Sequence, residues 1–329
     1  MARILVSGAI NWDTLCLVDH LPTPGEEVTC DAISEVPGGT GANTAVAAAR
    51  ILGPGEVALF AALGKDNIAD TQLSILDTEG VLRDSVVQLP GQSSGHAYIL
   101  IDRTGQNVIA SNLGANAALS TQNARQARIS TALQECRCIV LSDPPLPVAG
   151  FLLKAARDRD IPALWDPGVL TSHGWEALAP LAAKLDSLVL NEAEAKHLFG
   201  AADPRQIVRL LDRREAPAHL VLKLGERGSL LVDCSTGECT SIPPLPMAKL
   251  GLSVVSTVGC GDVFIGACAA CLALGYNRRN SLLMASAAAG FNASRPETRG
   301  GPGRETLLEL VERAESFGFV LSGDPGAAR

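Results

Sequence analysis

The chain of 329 residues carries 27 Lys and Arg against 35 Asp and Glu, a net charge of −8, with 47% hydrophobic and 19% charged residues. This acidic balance argues against nucleic acid as a partner, and the hydrophobic content excludes a disordered or fibrous chain. At this length, one large domain with an appendage or two domains are expected. The nine cysteines, an odd number scattered from Cys16 to Cys271, read as packing residues in a reducing compartment. Cys136 and Cys138 are too close for a Cys-x-x-Cys pair, and Cys268 and Cys271 lie among Ala and Leu rather than metal ligands. The apolar segment before Asp13 is too short for a signal peptide, and no apolar run reaches the roughly 20 residues that span a bilayer. A cytoplasmic protein without a membrane partner is expected.

In chain order, residues 3–9 form an apolar run that suits a buried strand, with Asn11 and Asp13 near its end. Ligands sit at the carboxyl ends of strands in open α/β sheets, although Asn and Asp there are as often plain turn residues. Residues 15–36, broken by Pro22, Pro24 and Gly25, read as a strand, a turn and a strand outside the main sheet. Gly38-Gly-Thr-Gly-Ala-Asn43 then opens an Ala-rich helix that ends at Gly53. Its glycines either admit a ligand to the backbone or only serve the loop's dihedrals. Their spacing matches neither the P-loop nor the dinucleotide fingerprint.

A strand over 57–63 and a helix over 69–79 follow, then a hairpin over 94–102 and 107–112. This hairpin joins the two strands of 15–36 in a small sheet. From about residue 120, strands over 139–142, 163–166, 187–190 and 219–224 alternate with helices over 147–157, 175–184, 192–199 and 205–213. Alternation of this kind builds parallel βαβ units, hence an α/β fold with a doubly wound, mostly parallel sheet flanked by helices. The division expected is a main domain over 1–14, 37–93 and 114–321, a β lid over 15–36 and 94–113, and a disordered tail over 322–329.

The stretch Val254-Val-Ser-Thr-Val-Gly-Cys-Gly-Asp262 runs into a long apolar segment, so a helix should start near Asp262. Bare amides and the positive end of the helix dipole attract anions there. A carboxylate at the same point is either an ordinary N-cap or a proton acceptor in phosphoryl transfer.

The stretch resembles the Asp-Thr-x-Gly-Ala-Gly-Asp signature of the ribokinase-like (PfkB-type) family of sugar and nucleoside kinases. Gly8-Ala-Ile-Asn-Trp-Asp13, the loop from Gly38 to Asn43, Gly105-Gln-Asn-Val-Ile with Gly114-Ala-Asn-Ala-Ala-Leu119, Asn191-Glu-Ala-Glu194 and Lys223-Leu-Gly225 resemble that family's other motifs in the same order. The resemblance implies an α/β sandwich with a β lid, ATP as donor with Mg2+, and transfer of the γ-phosphoryl to a primary hydroxyl. It implies Asp262 as the base, and the amides of Gly259, Cys260 and Gly261 as the anion hole. It further implies acceptor contacts from Asn11, Asp13, Gly38, Gly39 and Asn43. Asn191, Lys223, Gly225 and Ser286 would border the nucleotide, and Glu194 would help hold Mg2+ through water.

Departures fall mostly at the acceptor end. Thr40 stands where ribose-specific members have Lys, Asp143 stands where a Glu is usual, and His96 on a lid strand is a further acceptor candidate. Ser256 replaces an Asp that helps bind a monovalent cation, leaving the carbonyls of Val258 and Ala293 as weak ligands. The leading expectation is a kinase of a pentose or related furanose, dimeric through its lid. A ribonucleoside kinase is the alternative, and a catalytically idle sugar or nucleotide sensor is the alternative of another class.

Overall fold

The computed structural model describes residues 2–127, 129–211 and 216–322. The helix end expected at Arg213 and the tail beyond Ser322 lie outside them. Ser322 itself is held in place: its amide donates to Asn280 Oδ1 at 2.9 Å, and its carbonyl accepts from Asn280 Nδ2 at 2.8 Å.

The main sheet has eight strands, and its order explains where a ligand can sit. Strand β1 (Ile4–Gly8) is flanked on one side by Val57–Phe60 and on the other by Cys138–Ser142, with Ala163–Asp166, Ser187–Asn191 and His219–Lys223 continuing outward. All of these pair in parallel. The chain thus winds to one side of β1 and then to the other, which opens a crevice at the carboxyl ends of β1 and Cys138–Ser142. The strands are buried along most of their length because apolar side chains on both faces meet helices, in two separate cores.

Two edge strands, Ser229–Asp233 and Cys239–Ile242, were not legible as such and are antiparallel. A tight turn through Gly228, at φ 83°, returns the chain directly, and without a crossover helix it can only pair antiparallel. The strand expected over 57–63 also divides, since Ala62–Leu63 leaves the main sheet to pair with Val87–Gln88.

The small sheet is ordered Cys30–Gly38, Asn11–Val18, Gly95–Ile101, Asn107–Asn112. Its second strand starts at Asn11, so Asn11 and Asp13 belong to the small sheet rather than to a loop after β1. Asp13 pairs with Ala97, and Trp12 pairs with His96.

Helices Thr40–Leu52 and Cys260–Ala273 lie side by side, both buried almost all round. Gly266 makes this approach possible, since a Cβ there would lie 2.5 Å from the Thr44 carbonyl oxygen. Both helices begin after a glycine of positive φ, Gly39 at 91° and Gly259 at 76°, at the crevice end of the sheet. The second starts at Cys260, two residues before the start expected at Asp262. Asp262 is therefore in the first turn and is not the N-cap.

Candidate active site

The crevice is built from the residues that end strands and begin helices. Asp13 is 7% exposed, and its Oδ1 has no hydrogen-bond partner among the described residues. Burial pushes its carboxyl up to about 6, against the pull of the Arg299 guanidinium. Gly38 packs directly on this carboxylate, since a Cβ there would come within 1.9 Å of Asp13 Oδ2. Gly39 is equally constrained, with Ile10 and Asn11 backbone atoms where its side chain would be. Asn11 Oδ1 accepts from Asn116 Nδ2 at 2.9 Å, and Asn116 Oδ1 accepts from the Ile10 amide at 3.0 Å. Asp143 sits at φ 57°, a conformation costly for a residue with a Cβ, and its Oδ1 accepts both the Thr40 hydroxyl at 2.8 Å and the Ala9 amide at 3.1 Å.

Asn43 joins the two halves of the crevice. Its Oδ1 accepts from Arg299 Nε at 2.8 Å, and its Nδ2 donates to Asp262 Oδ2 at 2.8 Å. Burial raises the Asp262 carboxyl to about 7; Asn43 and Lys223 work against that rise, while Asp166 and Asp143 add to it. The first-turn amides of this helix have no carbonyl of their own helix to bond. The Cys260 amide nevertheless bonds the Thr257 carbonyl at 3.3 Å, so it is already engaged. Lys223 reaches this turn: its Nζ lies 3.4 Å from where a Gly261 Cβ would be, and it is paired with Asp166 Oδ2. Burial opposes the charge on Lys223, yet the carboxylates of Asp166 and Glu194 outweigh it and hold the pKa above the ordinary lysine value. Asn191 and Glu194 form a reciprocal capping box at the start of helix Glu192–Phe199, with bonds of 2.8 and 2.9 Å.

Other expected residues are placed less directly. His96 lies on the face of the small sheet opposite Asp13, bonded to Thr14 Oγ1 at 2.9 Å and stacked on Tyr98. Strand parity puts it there, since alternate residues face opposite sides. The Ser286 hydroxyl donates to the Pro243 carbonyl at 2.9 Å, which fixes that loop to helix Arg278–Ala293. Gly225 opens the turn after Lys223 at φ 59°. Ser256, Val258 and Ala293 do come together, but as partners of other protein groups. The Ala293 carbonyl accepts from the Val255 and Ser256 amides, and the Val258 carbonyl accepts from Asn292 Nδ2. A hydroxyl stands here in place of a carboxylate, and each carbonyl keeps lone-pair capacity beyond these bonds, so the set offers a monovalent cation weak oxygen ligands only.

Arg299, Asn116, Asp166 and Gln72 escaped the sequence reading of the site. Arg299 is 8% exposed, donates to the Gly38 carbonyl at 3.1 Å, and lies in an irregular segment with no periodic signal. Gln72, fully buried, donates to the Asn11 carbonyl. Asp166 carried the same strand-end signal as the residues after β1.

This architecture is the ribokinase fold. The ribokinase of Arabidopsis thaliana, solved with ribose and ATP, superposes with a TM-score of 0.80 at 25% identity over 94% of this chain and 99% of that one. The Schizosaccharomyces pombe ribokinase is 28% identical over 90% of this chain and 93% of its own length. A bifunctional ribokinase/ribose-5-phosphate isomerase A of Fructilactobacillus sanfranciscensis is also 28% identical, and the chain spans 57% of its length. The pattern of the pfkB family of carbohydrate kinases matches residues 1–303, and the chain belongs to that family. It is a phosphotransferase with an alcohol group as acceptor.

The raised carboxyl of Asp262 has a cost in stability with a definite sign. Below its ordinary value of 3.8 it is protonated in both states and contributes nothing; between 3.8 and about 7 the unfolded chain releases a proton that the fold retains, so stability falls as pH rises. Above about 7 the full penalty remains. Asp262→Asn, which can keep the Asn43 bond, should therefore gain in urea midpoint relative to the parent between about pH 4 and about pH 8. A difference that does not change with pH would contradict this.

Proposed function

We propose that the chain transfers the γ-phosphoryl group of ATP to the primary hydroxyl of a furanose of the pentose class, with Asp262 as general base. The observation that carries the reading is the placement of Asp262. It lies in the first turn of a glycine-started helix, tied to the acceptor loop through Asn43, with a lysine at the same turn. The acceptor's vicinal hydroxyls donate to Asp13, whose Oδ1 is buried without a partner among the described residues, while Asn11 and Asn43 orient the ring. The ionised Asp262 takes the proton of the primary hydroxyl as the new O–P bond forms and the bond to ADP breaks. Negative charge on the transferring group is met by the open amides of the helix start, Gly261 and Asp262 in particular, and by Lys223.

Mg2+ accompanies ATP in this reading. Among the described residues no three His, Cys, Asp or Glu side chains converge on a metal site. Asp166 and Glu194 beside Lys223 nevertheless suit an ion that keeps water and phosphate ligands. The metal would neutralise phosphate charge, and these carboxylates would hold its water shell. Asn191 and Gly225 border the same region, and Ser286 acts through the loop that it fixes.

The small sheet exposes apolar side chains on both faces: Ile33, Tyr98 and Val108 on one, Leu17 and Ile109 on the other. Such a sheet needs a partner, and in the proposed assembly a second copy meets it lid to lid. Among the described residues no helix is long and apolar enough to cross a membrane. The free cysteines suit a reducing cytoplasm.

Two variants separate the roles. Asp262→Asn should lower kcat by about 100-fold or more, the usual worth of general base catalysis. Asp13→Ala should raise the acceptor KM far more than the ATP KM. Near-full turnover in the first, or equal rises in the second, would remove those assignments. Light scattering at micromolar concentration should give a dimer mass; a monomer would count against the lid contact.

A further inference from the structure

The irregular segment that carries Arg299 is gripped at two points by one helix. Asn43 and Arg50 both belong to helix Thr40–Leu52, and their spacing puts them two turns apart on the same face. Asn43 holds the segment by a side chain, since its Oδ1 accepts from Arg299 Nε at 2.8 Å. Arg50 holds the backbone: its Nη1 donates to the Arg299 carbonyl, and to the Gly301 carbonyl at 3.0 Å. Arg50 is itself fixed by Glu79 through bonds of 2.7 and 2.9 Å. A further bond, from Arg299 Nη2 to the Gly38 carbonyl at 3.1 Å, keeps the guanidinium from turning away from Asn43. A plain counter-charge for Asp13 would not require this fixed geometry.

The geometry decides which end of the Asn43 amide reaches Asp262. A guanidinium has donors only, so it meets the amide oxygen and never the amide nitrogen. With the oxygen held by Arg299, the nitrogen is what remains for Asp262 Oδ2, 2.8 Å away. An N–H donor favours the carboxylate, the form that can take a proton. An amide oxygen in its place would favour the carboxylic acid, which is idle as a base. We propose, resting on the reading of Asp262 as general base, that Arg299 is a positioning residue for the reaction: it locks the Asn43 amide with its nitrogen toward Asp262 and so keeps the base in its working form. Burial favours the acid at Asp262, and the Asn43 bond is the largest force opposing it. Lys223 acts in the same direction as that bond, and Asp166 and Asp143 act against it. The Cys260 thiol and the Arg299 charge also face Asp262. If the amide is freed to turn, Asp262 keeps its proton to a higher pH.

Carbon-13 NMR of the full chain labelled at its aspartate carboxyl carbons reads the Asp262 midpoint without any acceptor, the signal being assigned through Asp262→Asn. Arg299→Gln keeps a polar side chain but offers an oxygen as well as a nitrogen, so the Asn43 amide can turn. It should raise the Asp262 midpoint by roughly one pH unit. Arg299→Lys, again with donors only, should leave the midpoint near that of the parent. Added to Asn43→Ala, Arg299→Gln should give no further shift, because the route through the amide is gone. With Mg-ATP and saturating D-ribose, Arg299→Gln should lower kcat roughly tenfold near about pH 6 and recover by about pH 9. Protonation of Asp13 falls on the acceptor KM and does not enter this comparison. An unmoved midpoint in Arg299→Gln overturns the positioning role. So does a shift of the same size with and without Asn43, which would be the work of charge alone, or a loss of kcat equal at both pH values, which would be merely structural. A midpoint that moves as expected beside a kcat with no acid limb overturns instead the base reading on which the proposal rests.

Discussion

The side chain of Asn43 is the joint on which the crevice depends. One amide group bonds Arg299 with its oxygen and Asp262 with its nitrogen, so its orientation has a single solution. Through these two bonds the loop of Gly38 and Gly39 is tied to the start of helix Cys260–Ala273. The two helices can approach closely enough for this because Gly266 has no side chain to meet Thr44. Arg299 extends the joint, since it also bonds the Gly38 carbonyl and lies beside Asp13. The loop of Gly38 and Gly39, the Asp262 carboxyl and the buried Arg299 thus form one unit, held by the packing of the helix pair and not by the strand ends alone.

Charge is concentrated in this unit far beyond the modest net balance of the chain. Asp13, Asp143, Asp166, Glu194 and Asp262 line or adjoin the crevice, with Arg299 and Lys223 the cations that face them. Burial raises the pKa of Asp13, Asp143, Glu194 and Asp262 and lowers that of Arg299. A cluster of this kind opposes folding near neutral pH, as functional sites often do. It also suits the proposed chemistry, because a carboxyl near pH 7 has the driving force to take a hydroxyl proton while remaining ionised in a useful fraction of molecules.

Much of the architecture was legible because parallel strands, buried on both faces, read as short apolar runs between helices. Ala163–Asp166 and Glu192–Phe199 match their expected limits for that reason. The antiparallel edge was not legible, since Ser229–Asp233 and Cys239–Ile242 mix polar and apolar residues around a turn. In the site, the glycine loops and strand ends drew attention to Asp13, Asn43 and Asp262. Arg299 could not be found that way, because it reaches the crevice from a segment whose backbone has no regular period. The face occupied by His96 depended on the register of Asn11–Val18 with Gly95–Ile101, and a one-residue shift would have reversed it.

The pH dependence of kcat/KM for the acceptor, at saturating Mg-ATP, tests the role of Asp262 most directly. If Asp262 must be ionised to take the hydroxyl proton, the rate rises with pH along a limb of unit slope and levels off above a midpoint near its pKa of about 7. The residual activity of Asp262→Asn should lack that limb. A flat profile in the parent from about pH 5 to about pH 9, or the same limb surviving in Asp262→Asn, would contradict the assignment.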